Sequence, residues 1–175
     1  MGRMKVTGMG EWTIELEKLA KPATVRRIAK KAVYDGAAVM KDAILKAVES
    51  VPETHLKHNR YAPESSPWWG TPDHPVKGLT REQKDGLLEG FGIAPISKRN
   101  GVWSTKTSFT GYNNVETDVY PSGQPNSLVA ARLENGASYR ERNPVISKSI
   151  KHSKGKAEAA MQATGEAEIL KTKEK

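Results

Sequence analysis

Between Ala23 and Val51 the apolar residues Val25, Ile28, Ala29, Ala32, Val33, Gly36, Val39, Met40, Ala43, Ile44, Ala47, Val48 and Val51 return at the helical period. Arg26, Arg27, Lys30, Lys31, Asp42 and Lys46 fall on the other faces. The pattern predicts a helix of about 28 residues, a rod roughly 40 Å long at 1.5 Å per residue. It is entered through Lys21-Pro22, where proline is tolerated, with Thr24 as a candidate cap. Its alanines and Gly36 permit close approach by another element. Upstream, Trp12, Ile14, Leu16 and Leu19 fit a short strand or a helical turn equally well.

The pattern then breaks. Five of the ten prolines lie between Pro52 and Gly78, with Tyr61, Trp68-Trp69, His55, His58 and His74 among them, which predicts a long loop. Adjacent tryptophans are costly on a free surface, so Trp68, Trp69 and Tyr61 are expected to dock on the body or on a partner. Thr80 followed by Gln83 is a capping box opening a short helix through Leu88, with Leu79 at the staple position and Gly90 and Gly92 beyond its end. Alternation over Trp103–Phe109 and Val115–Val119 predicts a hairpin turned by Thr110–Asn114. Asn126 or Ser127 can cap a further short helix that Asn135-Gly136 stops. After Pro144 a second long helix begins, expected to weaken at Gly155 and to end in a charged tail.

These elements make an α+β fold, with a long N-terminal and a C-terminal helix packed on a small antiparallel sheet. The expected organisation is an arm over 1–22, a core of 23–51 with 79–150, a loop over 52–78, and a helical extension with charged tail over 151–175. The thin alanine stripe of the last helix, through Ala157, Ala160, Met161, Ala163 and Ala167, suits packing on another chain.

Composition sharpens this picture. A hydrophobic fraction of 37%, an aromatic fraction of 6% and a mean hydropathy of −0.63 are low for a compact monomer and favour an oligomer. No apolar run approaches the roughly 18 to 20 residues that span a bilayer, and Met1-Gly2-Arg3-Met4-Lys5 has no signal-peptide character, so a soluble chain made in the cytoplasm, without membrane contact, is expected. Zero cysteines exclude disulfides, thiolate metal sites and cysteine nucleophiles. A net charge of +8 points to an anionic partner or to complementarity with an acidic neighbouring subunit.

Candidate chemistry is sparse. His55-x-x-His58 with His74 has no capped helix to fix it and no further ligand spacing, so no metal is expected. Gly90-Phe91-Gly92 lacks the third glycine and the helix start of a phosphate loop, and there is no Gly-x-Ser-x-Gly elbow. No carboxylate pair stands out. Neither catalysis nor a cofactor is therefore expected. The densest positive stretch is Arg140, Arg142, Lys148, Lys151, Lys154 and Lys156 beside Tyr139, which can face DNA phosphates or form a solvated helix start. No sequence-reading motif accompanies it.

Leu87-Leu88-Glu89-Gly90-Phe91-Gly92-Ile93, Gly111-Tyr112-Asn113-Asn114, Tyr120-Pro121-Ser122-Gly123-Gln124-Pro125-Asn126, Leu133-Glu134-Asn135-Gly136-Ala137-Ser138 and Asn143-Pro144-Val145-Ile146 form an ordered set. The set, covering roughly 23 to 150, resembles the minor structural proteins that join head to tail in tailed bacteriophages and prophages. Ala137 stands where that family usually has threonine, and Val145 where it has phenylalanine. The resemblance implies an α+β virion protein of the neck, made in the bacterial host cytoplasm and acting in head-tail joining or tail completion. It implies a homo-oligomeric ring, a hexamer or dodecamer, between the head connector or stopper and the tail tube, with DNA in its lumen. A tail terminator ring and a nonspecific DNA-binding protein are the alternatives.

Overall fold

The computed structural model describes residues 21–54, 75–113, 120 and 122–173. In chain order its elements are helix α1 (Pro22–Glu49), helix α2 (Arg81–Glu89), strands β1 (Phe91–Ile93), β2 (Ser97–Arg99), β3 (Val102–Ser104) and β4 (Thr107–Phe109), helix α3 (Asn126–Asn135) and helix α4 (Val145–Lys173). The fold is α+β, with two long helices and two small two-stranded sheets, β1 with β4 and β2 with β3. It divides into two compact units that cut across the expected core and extension. Of the described residues the first takes 21–43, 93–108 and 150–173, so the C-terminal helix shares a unit with the start of α1; the second takes 44–54, 75–92, 109–113, 120 and 122–149.

In the first unit α1 and α4 run antiparallel. Val25 and Ile28 pack with Ile169 near one end, and Ser153 donates to the Met40 thioether at 2.9 Å near the other. Between them Thr164 donates to Asp35 at 2.7 Å, and Gly36 lies under Met161. The apolar stripe predicted from the sequence is what closes this hairpin: Val25, Ile28, Ala29, Ala32, Val33 and Met40 are buried, together with Ala37, which the stripe did not include. Thr24 is no cap, because the helix starts at Pro22 and Thr24 already donates its N–H to Lys21 inside the first turn. Gly155 does not weaken α4, which runs through it.

Of the hairpin expected around Thr110–Asn114, the first strand, Trp103–Phe109, is split into β3 and β4, and the second lies outside the described residues. β4 turns back to β1, with Ala94 N–H on Lys106 O at 2.8 Å and Thr110 N–H on Gly90 O at 2.8 Å flanking the pair. The hairpin that does form is β2–β3, where Arg99 faces Val102 across Asn100-Gly101. Asn100 at φ 51° and Gly101 at φ 78° are both left-handed, which a two-residue primed turn requires and Asn-Gly supplies cheaply. Residues 115–119 lie outside the described residues.

The second unit is built on α2 and α3. Thr80 caps α2 with the full capping box: Gln83 N–H donates to its hydroxyl at 3.2 Å and the Gln83 side chain accepts from the Thr80 N–H at 3.3 Å. Ile44, Val48, Leu79, Leu87, Val129 and Leu133 are buried here, and Phe91 packs on Phe109 with ring centroids 4.6 Å apart. Asn126 does not cap α3. It is the first helical residue, behind Pro125, and its amide donates instead to Thr110 O at 2.8 Å.

Candidate functional site

Motif residues of the second unit meet residues outside the set in a buried polar node. Arg140, 5% exposed, donates one guanidinium nitrogen to Gly78 O and another to Gln83 Oε1 at 2.8 Å. Gln83 donates in turn to Gln124 at 3.2 Å, and the Gln124 N–H goes to Asn113 Oδ1 at 3.2 Å. Asn126 closes the far side on Thr110, while its N–H reaches Gly111 O at 3.0 Å. Two glycines are steric necessities here: a Cβ on Gly86 would fall 2.7 Å from the Asn113 Cβ and 2.8 Å from Asn126 Oδ1, and one on Gly90, a member of the set, would collide with Thr110 O and the Asn126 amide. Burial pulls the Arg140 pKa below the ordinary guanidinium value, with the neighbouring Tyr139 opposing and Arg132 reinforcing that shift.

Glu134 performs a second piece of local chemistry. Its carboxylate accepts from Ile146 N–H at 2.5 Å, from Ser147 N–H at 3.3 Å and from Ser147 Oγ at 2.6 Å, so it caps the exposed N–H groups at the start of α4. Gly136, at φ 78°, ends α3 and lets the chain turn toward that contact. The motif Leu133–Ser138 followed by Asn143–Ile146 is thus one joint between two helices. Asn143 N–H on Leu133 O at 2.8 Å completes it.

Most of these groups pair with one another, although Asn126 Oδ1 is buried without a hydrogen-bond partner among the described residues, and the bonds of the node hold backbone in place. Among the described residues no group of three His, Asp or Glu is placed to hold a metal ion. No helix there is long and apolar enough to cross a membrane.

Charge is partitioned between the units. The described residues of the first carry fourteen Lys and Arg against five Asp and Glu, a net of +9; those of the second carry eight against seven, a net of +1. Within the first unit Glu168 is the main sink. Its side chain, 5% exposed, takes Lys31 at 2.8 Å, Arg27, and Lys171 at 3.3 Å, and these contacts lower its pKa from 4.5 to about 2, with Lys31 first and Arg27 next in effect and burial opposing them.

The structure separates the residues expected to face DNA. Arg140 is removed from that set, because its guanidinium is buried on Gly78 and Gln83 and cannot meet a polyanion. Arg142 is exposed and donates to Glu134 O at 3.2 Å; it belongs with Lys148 to the nearly neutral second unit. Lys151, Lys154 and Lys156 are exposed in the first unit, Lys154 beside Glu158 at 3.8 Å. Tyr61, Trp68 and Trp69, like His55, His58 and His74, lie outside the described residues. Lys98 and Arg99, absent from the candidates named on sequence, are presented to solvent by the β2–β3 hairpin; the Asn100-Gly101 dipeptide was the signal that could have found them. Compared with known proteins, the chain matches no family model, no curated protein and no solved structure.

Proposed function

We propose that this chain is a structural virion protein of a phage neck, a ring-forming subunit that joins head to tail or completes the tail, between the head connector and the tail tube. The observation that carries the reading is the ordered motif set, whose members bond to one another across sequence. The Gln124 N–H reaches Asn113, the Asn126 N–H reaches Gly111 O, and the Ile146 N–H reaches Glu134. Replacing a buried member of the set leaves its partner unpaired, so these positions act as a unit.

Assembly is the work left for the surface. The segment carrying Trp68 and Trp69 leaves and rejoins a fixed stem, in which Thr54 N–H meets Leu79 O at 2.7 Å and Leu79 N–H meets Pro52 O at 3.0 Å. In the proposed ring this segment contacts a neighbouring ring; Ala157 and Met161 of the stripe expected to meet another chain are buried against α1 instead, so the exposed Ala163 and Ala167 face of α4 lies between subunits, a heterologous contact that closes.

Negative-stain images of the purified protein, and of particles in which it carries a label, test the reading. Closed rings of uniform subunit number and label at the head-tail joint are expected. Monomers alone, both in solution and in particles, would overturn the ring.

A further inference from the structure

Helix α1 opens with two pairs of adjacent cations, Arg26-Arg27 and Lys30-Lys31. Residues four apart share a helix face, so Arg27 stands over Lys31 and Arg26 over Lys30. The first strip is neutralised by Glu168. The second makes no ion pair among the described residues, and neither does Lys98 of β2. Instead the Lys30 ammonium lies 5.9 Å and the Lys98 ammonium 5.6 Å from the centroid of the same indole, Trp103. One buried ring therefore holds a cation from a helix and a cation from a hairpin. Arg99 follows Lys98 in the exposed end of that hairpin, and Tyr34, 54% exposed, continues the Arg26–Lys30 strip one turn on.

Two like charges held on one ring repel each other, and the ring quadrupole returns only about 0.5–1 kcal/mol for each at partly exposed sites. An anion placed against both relieves that repulsion. We propose that Arg26, Lys30, Lys98 and Arg99 bind the phosphodiester backbone of duplex nucleic acid without reading its sequence, with Trp103 fixing the two lysines. The strip from Arg26 to Tyr34 spans about 12 Å along the helix, so it meets successive phosphates rather than a single ion. Two ammonium and two guanidinium groups make up the set, and the elements present no row of amides to base edges, which suits backbone contact. A bilayer fits less well: the apolar face of α1 is closed in the core through Val25, Ile28 and Val33, and Trp103 is 8% exposed, which leaves isolated side chains such as Tyr34 and Val102 to insert.

The inference goes beyond the ring reading and does not rest on it; particle images test that reading, whereas solution binding tests this one. Full-length protein is titrated into a fluorescent mixed-sequence duplex at 50 and 200 mM salt and followed by anisotropy. The variant R26Q/K30Q/K98Q is compared with K46Q/K77Q/K148Q, which removes the same charge from the second unit, after circular dichroism shows both folded. At about 0.9 per phosphate contact, the first variant is expected to lower the salt slope by roughly 2.7 and to weaken binding at 50 mM at least tenfold. The second is expected to stay within about threefold of the unaltered chain. Equal weakening by both variants would overturn the site. So would no duplex binding at 50 mM, or binding to anionic vesicles or a polyglutamate peptide that matches or exceeds binding to the duplex.

Discussion

Gly36 of α1 sits beneath Met161 of α4 so closely that a Cβ added there would fall 2.7 Å from the Met161 sulfur and 3.1 Å from the Ala157 carbonyl oxygen. The thioether can swing away; the carbonyl belongs to helix backbone and cannot. Overpacking of this kind costs about 1–3 kcal/mol, against the roughly 1 kcal/mol that alanine gains over glycine inside a helix. Gly36→Ala should therefore lower stability by about 1 kcal/mol in urea unfolding. Met161→Ala should cost less in that background than alone, the sign of direct coupling. A stabilised Gly36→Ala would mean that the helices are not held this close.

Gly155 gives the opposite expectation from the same chemistry. It lies inside α4, and a Cβ added to it would have nothing within 4 Å, so the methyl meets only open space. Gly155→Ala should raise stability by up to about 1 kcal/mol. A loss instead would place another group against this face.

The helices were legible because their signals are local. The apolar period of α1 and the capping box of α2 need only neighbouring residues, and both are found where the sequence puts them. The strands are three residues each, too short for alternation to reveal, and β2, Ser97-Lys98-Arg99, has no apolar residue at all. Charge was hidden for a different reason. Sequence cannot say which member of Arg26-Arg27 is neutralised when the carboxylate that decides it, Glu168, lies 141 residues from Arg27. Arg140 stands in the most basic stretch yet is buried, because Gly78 and Gln83 converge on it from elsewhere in the chain.

Glu168 makes the first unit sensitive to acid. Its pKa falls from 4.5 to about 2 on folding, so its contribution is complete above about pH 4.5 and is lost as pH drops toward 2. Between those limits the urea midpoint of the unaltered chain should fall more steeply than that of Glu168→Gln, which has no carboxylate to protonate. At pH 7 the variant should be the less stable of the two, with Arg27 and Lys31 left without their partner. Parallel pH profiles for the two proteins would show that the carboxylate does not hold the helices.

Arg140 should be among the least replaceable residues of the second unit. Removing its side chain strands Gly78 O, leaves Gln83 Oε1 with only the Thr80 N–H, and opens a cavity, so Arg140→Ala is expected to cost about 2–4 kcal/mol. Arg140→Lys should recover little, since a single ammonium cannot reproduce the fork that meets both acceptors. Denaturant unfolding measures both. A cost below about 1 kcal/mol for alanine would mean that the guanidinium is solvated after all.

The stem of the Pro-rich segment separates folding from assembly. Glu53 bridges Leu79, Thr54 donates its hydroxyl to Lys77 O, and Val76 donates its N–H to Tyr139 O at 2.9 Å, so the two ends of the segment are fixed independently of what lies between them. Replacing residues 55–74 by a four-residue Gly-Ser linker shortens the loop more than fourfold, which should leave stability unchanged or raise it by about 1 kcal/mol. If Trp68 and Trp69 serve a neighbouring ring, the shortened protein should unfold at the same urea concentration or higher, yet fail to join head to tail. A fall of more than about 2 kcal/mol would instead place the two indoles against the body of their own chain, where removing them opens the core.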